Sequence, residues 1–408
     1  MIRKCKGPFS IRKMGFLYLE DKMNMRSRFL AIIISIMLAT VMLLTGCGGS
    51  AGGGTASATE PPEIKGLTYE STVDLKRADQ FAIYNYEGGY SLIIIKDHQS
   101  FLLVPEGAEA PESLPEDITV LHKPVKRIYL AATATMAMFC SMGALDNVRM
   151  SSIKEDEWSF EEPREAMKSG KIIYAGKYSA PDYETMMDEQ CDLAIESTMI
   201  DHTPDVQEMI ERIDIPVLVD RSSYESDPMG RAEWIKLYGV LTGHEKEATA
   251  FFEEQLDSIK NLDDFKNTGK TVAFFYFSTE GKVVVRSSTD YVPKMIDIAG
   301  GVYAFKDLAS ENEKSTADMS VESFYDTAKD ADIIVYNSSI DGSVKSMADL
   351  IEKDPIMEKM KAVKTGNCWV TGSSMYQRTD IVAAMILDFH KLLTEDNPTD
   401  LKYITKLQ

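Results

Sequence analysis

The chain reads as an α/β protein of two lobes, each with a central, largely parallel sheet, joined by one long interlobe helix and facing each other across a cleft. Three observations predict it. Two series of short apolar runs alternate with helical segments, the pattern of βαβ units. An amphipathic stretch, residues 229–262, separates the two series. The 408 residues leave, after an N-terminal leader and linker, enough chain for two packed lobes rather than one core.

Residues 1–46 come first and read as a leader. Arg26 and Arg28 precede an apolar run at 29–44 that is interrupted only by Ser35 and Thr40. A spanning helix needs about 20 residues, so the run is short for a bilayer and has the charged, apolar, small-residue order of a signal peptide. Glu20 and Asp21 depart from a positive n-region, which leaves Met23 and Met25 as alternative starts to Met1. Leu44-Thr45-Gly46-Cys47 resembles the lipobox of bacterial lipoproteins. That resemblance implies that Cys47 is lipidated and becomes the first residue of an extracytoplasmic protein anchored to the outer face of the membrane. The linker, 47–62, is rich in Gly and Ser and flexible by composition.

Residues 63–124 form an N-terminal extension. Within it, 81–105 carries β-rich runs separated by Glu87-Gly88-Gly89 and by 97–100, which predicts a three-stranded meander. The first lobe, 125–228, has strands at 127–131, 147–150, 172–174, 192–195 and 216–219. The interlobe helix, 229–262, spaces Trp234, Leu237, Tyr238, Leu241, Ala248, Phe251, Phe252 and Leu256 by threes and fours, with a candidate break at Gly243. Unbroken, it would run about 50 Å and strap the lobes together. The second lobe, 263–408, has strands at 271–277, 282–285, 332–336 and 368–370 and a closing helix at 379–393.

Charge narrows the partners. The formal charge is −20, and since residues 1–46 carry a net +6, the remainder carries −26. So anionic a body does not condense on nucleic acid or anionic lipid, so membrane contact is expected through the N-terminal lipid alone. Cys140, Cys191 and Cys368 are scattered, form no disulfide framework or CxxC site, and read as apolar side chains.

The two lobes echo each other. "DYETMMDEQCDLAIEST" and "SVESFYDTAKDADIIVYNSS" each run helix into strand, with Glu184 or Glu322 in the first helical turn and Asp192 or Asp332 opening the strand. A first-turn glutamate also complements the helix dipole by about 0.3–1 kcal/mol without any further role.

Three stretches carry a more specific likeness: "VKRIYLAATATMAMFCSMGALDNV", "YSAPDYETMMDEQCDLAIEST" and "STDYVPKMIDIAGGVYAF". Across roughly 125–393 the chain resembles the substrate-binding lipoproteins of ABC importers for iron-siderophore, haem and cobalamin. The resemblance implies an ABC permease and its ATPase as partners, and a small metal-organic ligand as cargo. It also implies a monomeric receptor in which Glu184 and Glu322 dock into arginine pockets of the permease, a directional and salt-sensitive contact. No resident cofactor is implied; iron or cobalt would belong to the cargo. A braced pair of lobes should close little on ligand.

Ligands of open α/β sheets collect beyond the carboxyl ends of strands. The loops there supply Tyr178, Met199, His202, Tyr224, Arg286, Tyr291, Tyr376 and Arg378 as candidate ligand contacts. Aromatic rings suit a bulky organic face, and guanidinium groups suit carboxylate or phosphate. His202 beside Asp201 reads more readily as a hydrogen-bonded histidine than as a metal ligand.

Other chemistries find no support. "NTGKT" at 267–271 lacks the upstream glycine of a phosphate-binding loop, Asp264 standing in its place. His98, His122, His202, His244 and His390 show no HExxH or paired spacing, so no metal site is assigned. There is no GxSxG elbow and no catalytic residue is assigned. The alternatives are an extracellular enzyme or an adhesin on the same scaffold.

Overall fold

The computed structural model describes residues 61–309 and 315–408. The leader, Cys47 and the linker through residue 60 lie outside the described residues. Residues 61–408 form one compact unit.

The extension folds as a five-stranded sheet, β1 (Tyr69–Thr72), β2 (Phe81–Tyr86), β3 (Tyr90–Ile95), β4 (Gln99–Val104) and β5 (Ile118–His122), in sequential order. Strands β1 to β4 are antiparallel and β5 joins β4 in parallel. The three predicted strands are present, and the prediction is corrected by one more at each edge. All four residues of β1 are exposed, so it carries no apolar alternation to read. The β2–β3 turn requires left-handed backbone at Gly88 and Gly89, φ 82° and 85°.

The first lobe is built on a five-stranded parallel sheet in the order β12-β11-β6-β7-β8: β6 (Ile128–Leu130), β7 (Val148–Ser151), β8 (Ile173–Tyr174), β11 (Leu193–Ser197) and β12 (Val217–Asp220). A small hairpin, β9 (Gly176–Lys177) and β10 (Ala180–Pro181), follows β8. Helices α1 (Met136–Ser141), α2 (Glu161–Lys168), α3 (Tyr183–Asp188) and α4 (Pro204–Arg212) connect the strands. Both faces are buried, and alternate side chains enter different cores. Ile128, Leu130, Leu193, Ile195 and Leu218 join the main core, whereas Tyr129, Ala194, Val217 and Val219 join a second one.

Edge strand β12 is completed by a side chain from the extension. The Gln99 amide donates to Val217 O at 2.7 Å and accepts from Val219 N at 2.9 Å, as a neighbouring strand would.

The interlobe segment is three helices, which corrects the expectation of one long rod: α5 (Pro228–Glu233), α6 (Ile235–Thr242) and α7 (Glu245–Ile259). Gly243 caps α6 in the left-handed region at φ 77°, and the chain then doubles back. Two contacts establish the hairpin: Lys236 Nζ lies 4.8 Å from the Phe252 ring centre, and a Cβ on Gly239 would stand 2.7 Å from that of Ala248. Apolar spacing continued through the reversal because both helices bury a face, which is why the pattern reads as one helix.

The second lobe carries a seven-stranded mixed sheet in the order β16-β14-β13-β17-β18-β19, with β15 beside β13. Its strands are β13 (Thr271–Phe277), β14 (Val283–Arg286), β15 (Val302–Tyr303), β16 (Thr316–Met319), β17 (Ile333–Tyr336), β18 (Cys368–Thr371) and β19 (Ile404–Lys406). Strands β13, β15, β17 and β18 are parallel; β14, β16 and β19 are antiparallel additions. Helices α8 (Tyr291–Ile298), α9 (Val321–Ala328), α10 (Met347–Lys353), α11 (Lys361–Lys364), α12 (Ser374–Gln377) and α13 (Val382–Thr394) surround it.

One apolar core runs without interruption from Phe81 of the extension through Trp234 and Phe252 of the helical segment to Phe389 of the second lobe. Two buried glutamates fasten the extension to this segment. Glu233 accepts from the backbone N–H groups of Lys76, Arg77 and Ala78 at 2.7–3.0 Å and pairs with Lys236 at 2.7 Å. Glu225 accepts from Asp79 N, Gln80 N and Trp234 Nε1 at 2.9–3.1 Å.

Candidate functional site

Loops from the carboxyl ends of β6, β11 and β12 and of β17 and β18 meet around a cleft of about 380 Å³. That is where parallel sheets collect ligands, and its size falls within the range of small-molecule sites. Of the sequence-predicted contacts, Met199, Arg286, Tyr291, Tyr376 and Arg378 line it. Met199 and Tyr376 are 47% and 58% exposed, so they offer open apolar surface from opposite lobes.

Three predicted contacts lie elsewhere. Tyr178 sits in the β9–β10 turn and packs against the second core. His202 is exposed beyond β11 and does not line the cleft. Tyr224 is exposed but carries the Arg221 guanidinium on its ring at 4.2 Å, again outside the lining. Strand-end position and side-chain type chose these residues, and neither reports which way a loop turns.

Sequence reasoning missed Arg231, Tyr276 and Asp290. Arg231 lies inside the stretch read as the interlobe helix, 229–262, and lines the cleft from the last turn of α5. Tyr276 is the outward-alternating residue of a mostly buried strand, a signal that was legible.

The charged groups are paired unevenly. Arg286 lies 3.6 Å from Asp290, the cap of α8, whose carboxyl is pushed up by burial against the pull of Arg286. Arg378 grips Asp380 with two nitrogens at 2.6 and 3.0 Å and covers the Phe160 ring. Arg231 stacks on Tyr291, 3.9 Å from guanidinium to ring centre. Asp220 is occupied by Ser222 N and Tyr238 Oη.

The lobes also touch beside the cleft. Gln377 Nε2 donates to Glu157 O at 2.8 Å, Ser159 N donates to Gln377 Oε1 at 2.6 Å, and Ser141 Oγ donates to Asp380 at 3.3 Å.

Glu184 and Glu322 are both exposed, each in the first turn of its helix. Those helices, α3 and α9, are capped by the side chains of Asp182 and Ser320. Each runs directly into a strand, so each N-terminus lies at the carboxyl end of its sheet, the side that bears the cleft. The aspartates of the echo pin neighbouring strands: Asp192 accepts from Lys126 N at 3.2 Å and Asp332 from Thr271 N at 2.8 Å.

Cys191 and Cys368 are buried, Cys140 is half-buried, and burial pushes all three thiols up to about 12. Among the described residues no group of three or more His, Cys, Asp or Glu could hold a metal ion, and no helix is long and apolar enough to cross a membrane.

Residues 146–375 match the family described as periplasmic binding protein. An uncharacterized lipoprotein of Methanocaldococcus jannaschii is 27% identical over 300 residues, 71% of this chain and 70% of the relative. A second from the same organism is 24% identical over 350 residues, 82% of this chain and 87% of the relative. The fold is similar to that of a periplasmic haem-binding protein of Vibrio cholerae, at TM-score 0.54 and 17% identity over 66% of this chain and 99% of that one. It is also similar to a triscatecholate siderophore-binding protein of Bacillus subtilis complexed with ferri-bacillibactin, at TM-score 0.52 and 16% identity over 70% of this chain and 97% of that one.

Proposed function

This chain belongs to the periplasmic binding protein family, and we propose that it is the lipid-anchored extracytoplasmic receptor of an ABC importer for a metal-bearing organic compound. The cargo class is a ferric siderophore, haem or a corrinoid. Binding is reversible, no bond is made or broken, and the loaded receptor delivers its ligand to a permease. The observation that carries the reading is a cleft lined from both lobes by exposed apolar side chains, Met199 and Tyr376, together with guanidinium groups. Such a lining suits a bulky organic ligand with polar or anionic appendages better than a bare ion, which needs converging donors.

Two further features support delivery and anchoring. Glu184 and Glu322 offer one exposed carboxylate per lobe on the cleft side. Cys47 follows the Leu-Thr-Gly tripeptide, and two relatives bear the name lipoprotein. The test is thermal melting of the protein from residue 48 onward with haemin, cyanocobalamin and ferric siderophores, because a ligand bound only by the native state raises Tm. A shift with one class supports the reading. A flat response to all of them overturns it.

A further inference from the structure

Among the described residues, the cleft holds three guanidinium groups, Arg231, Arg286 and Arg378, and only two carboxylates, Asp290 and Asp380, that act on them. Arg286 faces Asp290 and Arg378 grips Asp380, so each of these charges is answered within the protein. Among the described residues Arg231 forms no salt bridge within 4.0 Å, it acts on Asp290 only at longer range, and its Nε, although buried, finds no acceptor. Its central carbon lies over the Tyr291 ring at 3.9 Å, which engages the face of the group and leaves its N–H edge free. Asp220, the other acid of the lining, is turned away, with both oxygens already accepting hydrogen bonds from Ser222 N and Tyr238 Oη. A half-buried cation without a hydrogen-bonded carboxylate is incomplete as a recognition element.

Resting on the receptor reading above, we infer that Arg231 is the anion anchor of the cleft, and that the ligand it selects carries a carboxylate, catecholate or phosphate oxygen placed against the Arg231 edge. The surroundings favour this over a general attraction. The body of the protein is strongly acidic, net −26 from residue 47 onward, and at long range it repels anions. Selectivity for an anionic ligand must therefore come from a short, directed contact inside the cleft. Arg231 also sits in the last turn of α5, where the interlobe segment meets the second lobe through Tyr291. A ligand held there touches the junction of the lobes rather than one lobe alone.

The experiment uses the protein from residue 48 onward and four probes: a ferric triscatecholate and haemin, both anionic, the uncharged ferric trihydroxamate ferrichrome, and the cationic ferrioxamine B. Dissociation constants come from quenching of tryptophan fluorescence, at low and high salt, for the native protein, R231M and R231K. R231M keeps an apolar stem over Tyr291, and a thermal melt reports whether it folds. An anionic probe should bind the native protein at least tenfold more tightly than the other two. R231M should lose roughly ten- to hundredfold for that probe, the range of a charge-assisted hydrogen bond, and R231K should recover part of the loss. Equal affinity for ferrichrome and the anionic probes, or an R231M loss shared by all probes, overturns the anchor and leaves the receptor reading standing. Absence of binding to all four overturns the anchor, and the receptor reading falls with it if cyanocobalamin also fails to bind. If R231M does not fold, the native protein still decides: affinity for the anionic probe that does not fall with salt overturns the inference.

Discussion

Gln377 of the second lobe accepts a 2.6 Å hydrogen bond from the backbone N–H of Ser159 in the first, and returns one from its own amide to Glu157 O. The amide spans the two halves as a strand neighbour would, so the lobes are held beside the cleft as well as through the helical hairpin. Gln377→Leu leaves a carbonyl and an N–H without partners at about 1–3 kcal/mol. It should lower the free energy of unfolding by that amount and enlarge the ligand-free radius of gyration in solution scattering. An unchanged radius would mean that the continuous core alone sets the spacing of the lobes.

Two buried carboxyls predict the direction of pH dependence. Burial pushes Glu225 up to about 7 and Glu196, whose oxygens have no partner, up to about 8, from an ordinary 4.5. Between 4.5 and these values the folded chain keeps protons that the unfolded chain has released, so stability falls as pH rises through the window. Each group contributes at most about 1.4 kcal/mol per pH unit. Carboxyls held low, such as Asp341 beside Lys353 and Tyr336, act below the window. Urea unfolding at pH 5 and pH 8 should find the protein less stable at pH 8, and Glu196→Gln or Glu225→Gln should each flatten the slope. A slope unchanged in both variants would contradict the assignment.

The helical hairpin rests on a close approach. An alanine at Gly239 would place its Cβ 2.7 Å from that of Ala248 and 3.1 Å from His244 O. Alanine is the better helix former by about 1 kcal/mol, yet crowding in a packed interior costs about 1–3 kcal/mol, so Gly239→Ala should destabilise. Adding Ala248→Gly should restore part of the loss. Thermal melts of the two single variants and the double variant measure the coupling, and purely additive effects would argue against the contact.

Glu184→Ala combined with Glu322→Ala should abolish ligand uptake in cells while leaving ligand affinity unchanged. The stability cost should stay near about 0.3–1 kcal/mol for each first-turn charge removed. Weakened ligand binding would place these carboxylates in recognition of cargo instead of permease.

Much of the architecture was legible because its central strands are short runs with turn residues on either side. All five strands of the first sheet overlap the short β-rich runs read from the sequence, and Asp192 and Asp332 mark strand starts because each pins a neighbouring backbone. The edges were not legible. Strands β1, β15, β16 and β19 have two to four residues and present little alternation of buried and exposed positions. The reversal at Gly243 was hidden because a left-handed cap is a backbone property that leaves the apolar spacing on either side intact. In the cleft, Arg286, Tyr291, Tyr376 and Arg378 follow from their place after strands or at a helix start. Arg231 does not, since what distinguishes it is the lack of a partner, and partners are set by tertiary packing.

The bond pattern of Gln99 has a further consequence. By occupying Val217 O and Val219 N, its amide leaves the outer flank of the first sheet no row of vacant donors and acceptors to template another chain. A version shortened to the segment from residue 125 would bare that flank together with the apolar face left by Phe81, Ile83 and Phe101, and copies of it should cling to one another. The added sheet thus acts as a built-in guard against self-association, a duty separate from anything the cleft does.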